Sequence, residues 1–232
     1  LVFPSAYTAN QSTISILCKN IEEIEIFSDE LNHASLIEGI RNSKAKYHIF
    51  KHNNVVDLEK KLKTIDIDKP KLIVCESIYS MEGIRSPLKD IVKLAKKYNA
   101  LTYLDEVHSV GLYGPSGSGI AAELGISNDI DIINGTLSKS FGQMGGYIAA
   151  NEDLIDYIRS FAPGFIFTSS INPSVAAASI KSIEISKVAE TLRLKIRENS
   201  SIIRDGLRSI NVPFIDNESH IVPILVKGPL EC

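Results

Sequence analysis

The sequence contains little of what marks several large classes of protein. Its three cysteines, Cys18, Cys75 and Cys232, are scattered and show no Cys-x-x-Cys spacing. This pattern favours a reducing compartment and argues against a disulfide framework or a structural zinc site, so no metal site is predicted. No apolar stretch is long enough to cross a bilayer, and the chain does not open on a basic segment followed by an apolar one.

The sequence also has little excess of charge of either sign. The 232 residues carry a net charge of -3, which gives no electrostatic reason to expect a nucleic acid or an anionic membrane as partner. A composition of 44% hydrophobic and 23% charged residues is that of an ordinary globular protein. The length allows one large core, or one domain and part of another.

Two kinds of apolar periodicity alternate along the chain and predict an α/β fold with a mostly parallel sheet flanked by helices. Helices are predicted over 8–17, 34–41, 55–62, 87–98 and 152–161, and strands over 24–27, 47–50, 71–76, 101–105, 130–134 and 146–149. In such a sheet, ligands bind beyond the carboxyl ends of the strands. The residues that fall at this edge are Glu76, Ser80, Asp105, His108, Thr136 and Lys139.

The pattern changes after residue 151. One long helix with a bend near Ala189 is predicted over 175–207, followed by the segment 213–215 and a strand over 221–226. We therefore expect residues 1–174 to form a large domain, and residues 175–232 to supply a connector helix and the start of a smaller C-terminal domain. Residues 1–5 are typical of the end of a strand with no preceding partner, which leads us to expect an internal piece of a longer protein.

Two short motifs predict the chemistry. Asp105-Glu106-Val107-His108 ends an apolar strand with an acid and an imidazole three residues apart, and the segment 135–142 places Lys139 among small residues. The combination is typical of a site for an aldehyde cofactor, in which the lysine forms an imine and the acid keeps a pyridine nitrogen protonated. Taken alone, Lys139 would be a solvated surface lysine and Asp105 a cap for the following turn.

Further candidates lie at the starts and ends of predicted elements. His33 stands at a helix start, where its imidazole could lie over an aromatic cofactor or be incidental to the capping residues beside it. Ser28, Ser80 and Thr136 are hydroxyls at strand ends, and Thr136 is suited to a phosphate oxygen because it precedes Lys139 by three residues. Single hydroxyls carry little information on their own.

A glycine-rich segment over 111–119 could be mistaken for a phosphate-binding loop. A dinucleotide fingerprint needs its glycines directly after a first strand and opening a helix, and this segment meets neither condition. We therefore predict a flexible loop that lets the backbone pass close to the site.

Five stretches carry a resemblance that extends over the whole chain: 3–10, 105–119, 131–139, 145–149 and 219–224. Over these residues the sequence resembles the α-oxoamine synthases, fold-type I enzymes that depend on pyridoxal 5′-phosphate. The segments 32–43, 164–170 and 219–223 and the Glu-Val-His form of the acid motif are most similar to the branch of that family that condenses glycine with succinyl-CoA to give 5-aminolevulinate.

The resemblance implies a role for each candidate and a homodimer with its active site at the subunit interface. Lys139 would bind the cofactor as an imine and then remove the α-proton of glycine, and His33 would stack on the ring and help to handle protons. Asp105 would pair with the pyridinium, while His108 and Ser80 would contact the ring hydroxyl. The remaining contacts would be the backbone N–H groups of Ala6 and Tyr7, Thr136 and the partner-derived Thr168 on the phosphate, and Ser28 on the substrate side.

The sequence departs from the family pattern at Ser138, Ser140, Ile84 and Asn172-Pro173, none of which removes a reacting group. The family's amino-terminal substrate loops, and the arginine of the C-terminal domain that grips the substrate carboxylate, lie outside this chain. We therefore expect these 232 residues alone to bind the cofactor poorly and to turn over little or nothing.

Other functions stay open at this point. The first is a sister α-oxoamine synthase of the 8-amino-7-oxononanoate synthase, 2-amino-3-ketobutyrate CoA ligase or serine palmitoyltransferase type. The second is a non-catalytic partner subunit, against which Lys139 argues. The third is a nucleotide-binding dehydrogenase module, for which the first-strand glycine fingerprint is absent. The expected location is a bacterial cytoplasm or a mitochondrial matrix.

Overall fold

Strands and helices alternate along the chain, as the two apolar periodicities predict. A computed structural model describes residues 1–226 and 228. The strands are Val2–Phe3 (β1), Glu25–Asp29 (β2), Lys46–Phe50 (β3), Lys71–Glu76 (β4), Leu101–Asp105 (β5), Ile132–Thr136 (β6) and Gly146–Ala150 (β7). The helices are Ala6–Asn20 (α1), Ala34–Ser43 (α2), Val55–Leu62 (α3), Leu88–Lys97 (α4), Ile120–Glu123 (α5), Glu152–Phe161 (α6), Pro163–Ile166 (α7), Pro173–Lys187 (α8) and Glu190–Ser209 (α9). Within the described residues, no helix has the length and apolar character needed to cross a membrane.

Seven strands form one sheet in the order β1-β7-β6-β5-β4-β2-β3. The strands from β2 to β6 pair in parallel, whereas β7 pairs antiparallel with both β6 and β1. The direction reverses at β7 because a short loop, and not a crossover helix, connects it to β6. β1 pairs Val2 with Tyr147 and Phe3 with Gly146, so the first residues do have a partner in the sheet. The predicted fold class is confirmed.

Apolar side chains cover both faces of the sheet. Phe27, Ile73 and Leu104 pack on the face covered by α3 and α4. Their sequence neighbours on the same strands, among them Ile26 and Val74, pack on the face covered by α1, α2 and α6. Burial on both faces explains why β4 is a continuous apolar run in the sequence, and it holds the carboxyl ends of the central strands in fixed positions.

The prediction of a single bent helix over 175–207 is wrong, because two helices occupy this region. Val188 and Ala189 separate α8 from α9, and Ala189 has a ψ of 41°, outside the helical range. Nη1 of Arg193 in α9 donates to the carbonyl oxygen of Ser186 at 2.6 Å. The carbonyl of Ser186 at the end of α8 therefore accepts from this side chain as well as from the backbone N–H of Ala189 at 3.2 Å.

The strand predicted over 221–226, which follows the segment 213–215, is also wrong in extent. One isolated antiparallel bridge joins Phe214 to Ile224, and the two segments do not form a ladder. Pro213 and Pro223 accept backbone hydrogen bonds there but have no N–H to donate, so pairing does not propagate. The division at residue 174 stays a prediction, and Cys232 lies outside the described residues.

Candidate active site

A cavity of about 220 Å³ lies where the carboxyl ends of β4, β5 and β6 meet the N-termini of α1 and α2. Seven of the predicted site residues line it: Ala6, Tyr7, His33, Asp105, His108, Thr136 and Lys139. A larger cavity of about 850 Å³ lies against α8, but its lining is mostly apolar and lacks the acids and imidazoles of the smaller one. The smaller cavity is therefore the candidate active site.

Asp105 supplies a buried carboxylate, 4% exposed, at the end of β5. Its Oδ2 accepts hydrogen bonds from Nδ2 of Asn10 at 2.6 Å and Nδ2 of Asn134 at 3.2 Å, and its Oδ1 accepts from the backbone N–H of Val107 at 2.8 Å. Burial raises the pKa of Asp105, while these three donors act in the opposite direction. A carboxylate held by three donors is well placed to meet a cation such as a protonated ring nitrogen.

Asn10 is a site residue that the sequence analysis missed. It lies on α1 and is buried at 1% exposure. Its Oδ1 accepts from the hydroxyl of Tyr103 at 2.8 Å, and its Nδ2 also lies 2.9 Å from Oγ of Ser35. These bonds fix the amide with its donor side toward Asp105. An asparagine inside a helix carries no local signal for such a role, since its partner is 95 residues away.

Lys139 lies in the loop between β6 and β7 with an exposed side chain at the edge of the cavity. Among the residues that the structure describes, its amine forms no ion pair with a carboxylate. The loop is held by a hydrogen bond from Leu137 N to Gly145 O at 2.9 Å and by Ser140 Oγ, which donates to the carbonyl of Val110 at 2.6 Å. The backbone that carries the amine is therefore anchored to the segment that follows the acid motif.

His108 is a neutral imidazole beside this lysine. Burial, and then the positive charge of Lys139, lower its pKa to about 4. At neutral pH it therefore has one ring nitrogen that donates and one that accepts, which suits a contact with a ring hydroxyl.

His33 has a role in the backbone that the sequence left open. It is the N-cap of α2, and its Nδ1 accepts from the backbone N–H of Ser35 at 3.2 Å. Its imidazole is exposed, and the ring of Tyr7 stands edge-on to it with 6.3 Å between centroids. His33 itself, and neither of its neighbours, caps the helix.

The start of α1 lies at one end of the cavity. Ser5 caps the helix, its Oγ accepting from Thr8 N at 3.1 Å. Within the described part of the chain, the N–H groups of Ala6 and Tyr7 have no acceptor, as expected in a first turn. A Cβ at Gly146 would lie 2.3 Å from Ala6 N, so glycine lets β7 pass against this turn. Free N–H groups at a helix start bind phosphate well.

Three predicted residues lie outside this lining, and their roles stay predictions. Ser28 is buried, with its hydroxyl donating to Asp29 O at 3.1 Å and accepting from Asn32 at 2.9 Å. Ser80 is half-buried in the turn after β4, and Thr168 is exposed beyond α7. The role predicted for Thr168 is in the cavity of a second subunit.

The side chain of Glu106 anchors the C-terminal end of the glycine-rich loop. Its buried carboxylate accepts from Ala121 N at 2.8 Å and Ile120 N at 3.1 Å, which fixes the start of α5, and Ser109 also donates to it. Within the loop, Gly111 N donates to Gly117 O at 2.7 Å. The predicted loop therefore exists, closed by hydrogen bonds and held at both ends, and its flexibility stays a prediction.

Comparison with known proteins shows the family to which the chain belongs. The family model for aminotransferase class I and II matches residues 1–231. The chain belongs to this family. It is 52% identical over 231 residues to the 5-aminolevulinate synthase of Rickettsia typhi, which covers 100% of this chain and 56% of that protein. It is 49% identical over 227 residues to the mitochondrial 5-aminolevulinate synthase of Schizosaccharomyces pombe, covering 97% and 41%.

The fold is also similar to that of a solved relative. A high-resolution structure of SPT with a PLP internal aldimine superposes with a TM-score of 0.93 and 34% identity, over 99% of this chain and 58% of that one. The chain thus spans about half the length of the relatives that it matches. The resemblance predicted from the motifs is confirmed, both to the α-oxoamine synthases and to their 5-aminolevulinate-forming branch.

Proposed function

We propose that the full-length protein containing this chain is a 5-aminolevulinate synthase, an acyltransferase that condenses glycine with succinyl-CoA and releases CoA and carbon dioxide. The observation that carries the proposal is the convergence of Lys139, Asp105 and His108 on one cavity. About half of all positions are identical to those of a 5-aminolevulinate synthase, which favours this branch over its sisters.

The cavity fits pyridoxal 5′-phosphate as the cofactor. When bound, this cofactor supplies an electron sink for a carbanion at the α-carbon of an amino acid. Asp105 would keep the ring nitrogen protonated, and neutral His108 would contact the ring hydroxyl. The N–H groups of Ala6 and Tyr7 would bind the phosphate, with the hydroxyl of Thr136 beside them.

The chain's own groups would handle the protons. The amine of Lys139 would accept the α-proton of glycine, because it lies at the cavity edge free of any carboxylate among the described residues. His33 at the cavity mouth would cover the ring and exchange protons with the substrate side. Asp105 would stay charged, since its three donors and the ring nitrogen favour the ionised form against the burial that raises its pKa.

A homodimer is part of this proposal. Thr168 follows an exposed apolar surface formed by Phe161, Ile166 and Phe167, the last of which is 84% exposed. Such a patch is typical of a protein interface. We expect Phe167→Asp to shift the full-length protein toward monomer in sedimentation or light scattering. Val56→Asp, at an exposed apolar side chain on α3, should not. Equal behaviour of the two variants would contradict this interface.

A substrate panel tests the reaction. Full-length protein with pyridoxal phosphate would be given glycine, alanine or serine with several acyl-CoAs, and the product identified by mass spectrometry. We expect 5-aminolevulinate from glycine and succinyl-CoA, and none from the Lys139→Ala variant. Product from alanine or serine alone would assign the protein to a sister synthase. Failure to bind the cofactor would favour a non-catalytic subunit.

A further inference from the structure

Glu76 is a buried acid beside Asp105 to which neither the motifs nor the proposed reaction gives a role. Glu76 ends β4 and Asp105 ends β5, and the two are register partners in the parallel sheet. Register partners present their side chains on the same face. Both residues line the cavity, with exposures of 3% and 4%. Two buried carboxyl groups at paired positions of adjacent strands cannot both ionise easily.

The hydrogen bonds decide which acid carries the charge. Asp105 accepts from three donors, as described above. Within the described residues, the Glu76 side chain accepts from one, the backbone N–H of His33, which lies 2.5 Å from Oε1. Donors stabilise the ionised form, so the negative charge belongs to Asp105 and the proton to Glu76. Burial, and then the charge of Asp105, raise the pKa of Glu76 to about 9.

The other ionisable groups nearby support the same assignment. Asp29 lies on β2, the strand on the other side of β4, and Glu82 lies in the turn that follows β4, so both oppose a further negative charge on Glu76. Asp29 accepts hydrogen bonds from the backbone N–H groups of Leu31 and Asn53, each at 2.9 Å. The other titratable groups that line the cavity are Tyr7, His33, His108 and Lys139.

We propose that Glu76 is a positioning residue of the cofactor site that acts as a neutral acid. Its Oε1 holds the backbone of His33, and so fixes the N-cap of α2, whose imidazole lines the cavity and would face the cofactor. Its proton leaves the negative charge at the ring nitrogen to Asp105. This inference rests on the proposed function for the identity of the ligand, but the proton on Glu76 belongs to the cofactor-free protein as well.

Two substitutions separate the neutral-acid role from other roles. Glu76→Gln keeps a neutral side chain and an oxygen for His33 N, whereas Glu76→Leu removes the acceptor. In full-length protein we expect the Kd for pyridoxal phosphate to stay within about threefold of wild type for Glu76→Gln, and to rise about tenfold or more for Glu76→Leu. Glu82→Gln is the matched control and should leave the Kd unchanged. A loss with Glu76→Gln as large as with Glu76→Leu would overturn the proposal.

An infrared measurement tests the proton directly. Cofactor-free wild type at pH 7 should show a carbonyl stretch of a protonated carboxyl group that Glu76→Gln lacks and Glu82→Gln retains. An unchanged band in Glu76→Gln would overturn the inference whether or not the cofactor binds. Conversely, a wild type that shows the band but binds no pyridoxal phosphate would contradict the proposed function and leave the proton assignment standing.

Discussion

Nδ2 of Asn10 lies 2.6 Å from Oδ2 of Asp105 and joins the helix at one side of the cavity to the acid at its floor. The hydroxyl of Tyr103, which donates to Oδ1 of Asn10, prevents the amide from turning over. The bond favours the ionised form of Asp105 against the burial that opposes it. The pair therefore sets the charge that a pyridinium ring would meet.

Replacing this amide by an acid should damage cofactor binding. In Asn10→Asp, a second carboxyl group would replace the donor, and the pKa of Asp105 would rise. We expect the Kd for pyridoxal phosphate in the full-length protein to increase by about tenfold or more, measured by absorbance titration. Asn20→Asp is the control, because Asn20 lies at the exposed end of the same helix and bonds the hydroxyl of Tyr157. Equal Kd values for the two variants would refute this role.

The close approach at Gly146 gives a second prediction. An alanine Cβ would lie 2.3 Å from Ala6 N and would push apart β7 and the first turn of α1. We expect Gly146→Ala to lower the free energy of unfolding by about 1–3 kcal/mol and to weaken phosphate binding.

Gly206 on α9 provides the matched control for that substitution. A Cβ there meets no atom within 4 Å. Because alanine favours a helix over glycine, Gly206→Ala should leave stability unchanged or raise it by about 0.5–1 kcal/mol. Urea denaturation measures both variants, and a harmless Gly146→Ala would contradict the close packing.

His108 predicts a pH dependence of stability. Its pKa falls from the ordinary 6.5 to about 4 in the fold, chiefly through burial. Between these pH values the unfolded state binds more protons than the folded state. The free energy of unfolding that His108 contributes is therefore complete above pH 6.5 and is lost as the pH falls toward 4. In cofactor-free protein, His108→Gln should flatten the fall of the urea midpoint over this window. An unchanged slope would show that His108 is not held neutral.

Glu106 should matter for stability through the loop that it anchors. Glu106→Gln would turn an amide donor toward the N–H groups of Ile120 or Ala121, and we expect a loss of about 1–3 kcal/mol in the free energy of unfolding. Glu123 lies on α5 together with Ile120 and Ala121. Glu123→Gln removes its partly exposed ion pair with Arg85 at 2.7 Å and should lower the free energy of unfolding by at most about 1 kcal/mol. A larger effect at Glu123 would contradict the assignment.

Much of the fold could be predicted because its signals are local. The buried run of β4 and the amphipathic helix α3 were predicted with both ends correct. The break between α8 and α9 is accompanied by a bond from Arg193 to Ser186, seven residues earlier, and pairing between 213–215 and 221–226 stops where Pro213 faces Leu225 and Pro223 faces Ile215. No short window of sequence reveals either contact.

Some residues of the candidate site could be predicted from the sequence, and others could not. Asp105, His108, Thr136 and Lys139 could be placed together because parallel topology brings strand ends to one edge. The functions of Asn10 and Glu76 could not, since each depends on a hydrogen bond to a residue distant in the chain. Ser28 and Ser80 were named as hydroxyls at strand ends and Thr168 by resemblance, and the lining of this cavity does not include them.

The most direct test of the account is the site of covalent attachment. Full-length protein would be loaded with pyridoxal phosphate, reduced with borohydride, digested and mapped by mass spectrometry. The account predicts a phosphopyridoxyl group on Lys139 and its loss in Lys139→Ala. Attachment at another lysine, or none in a protein that retains its fold, would contradict it.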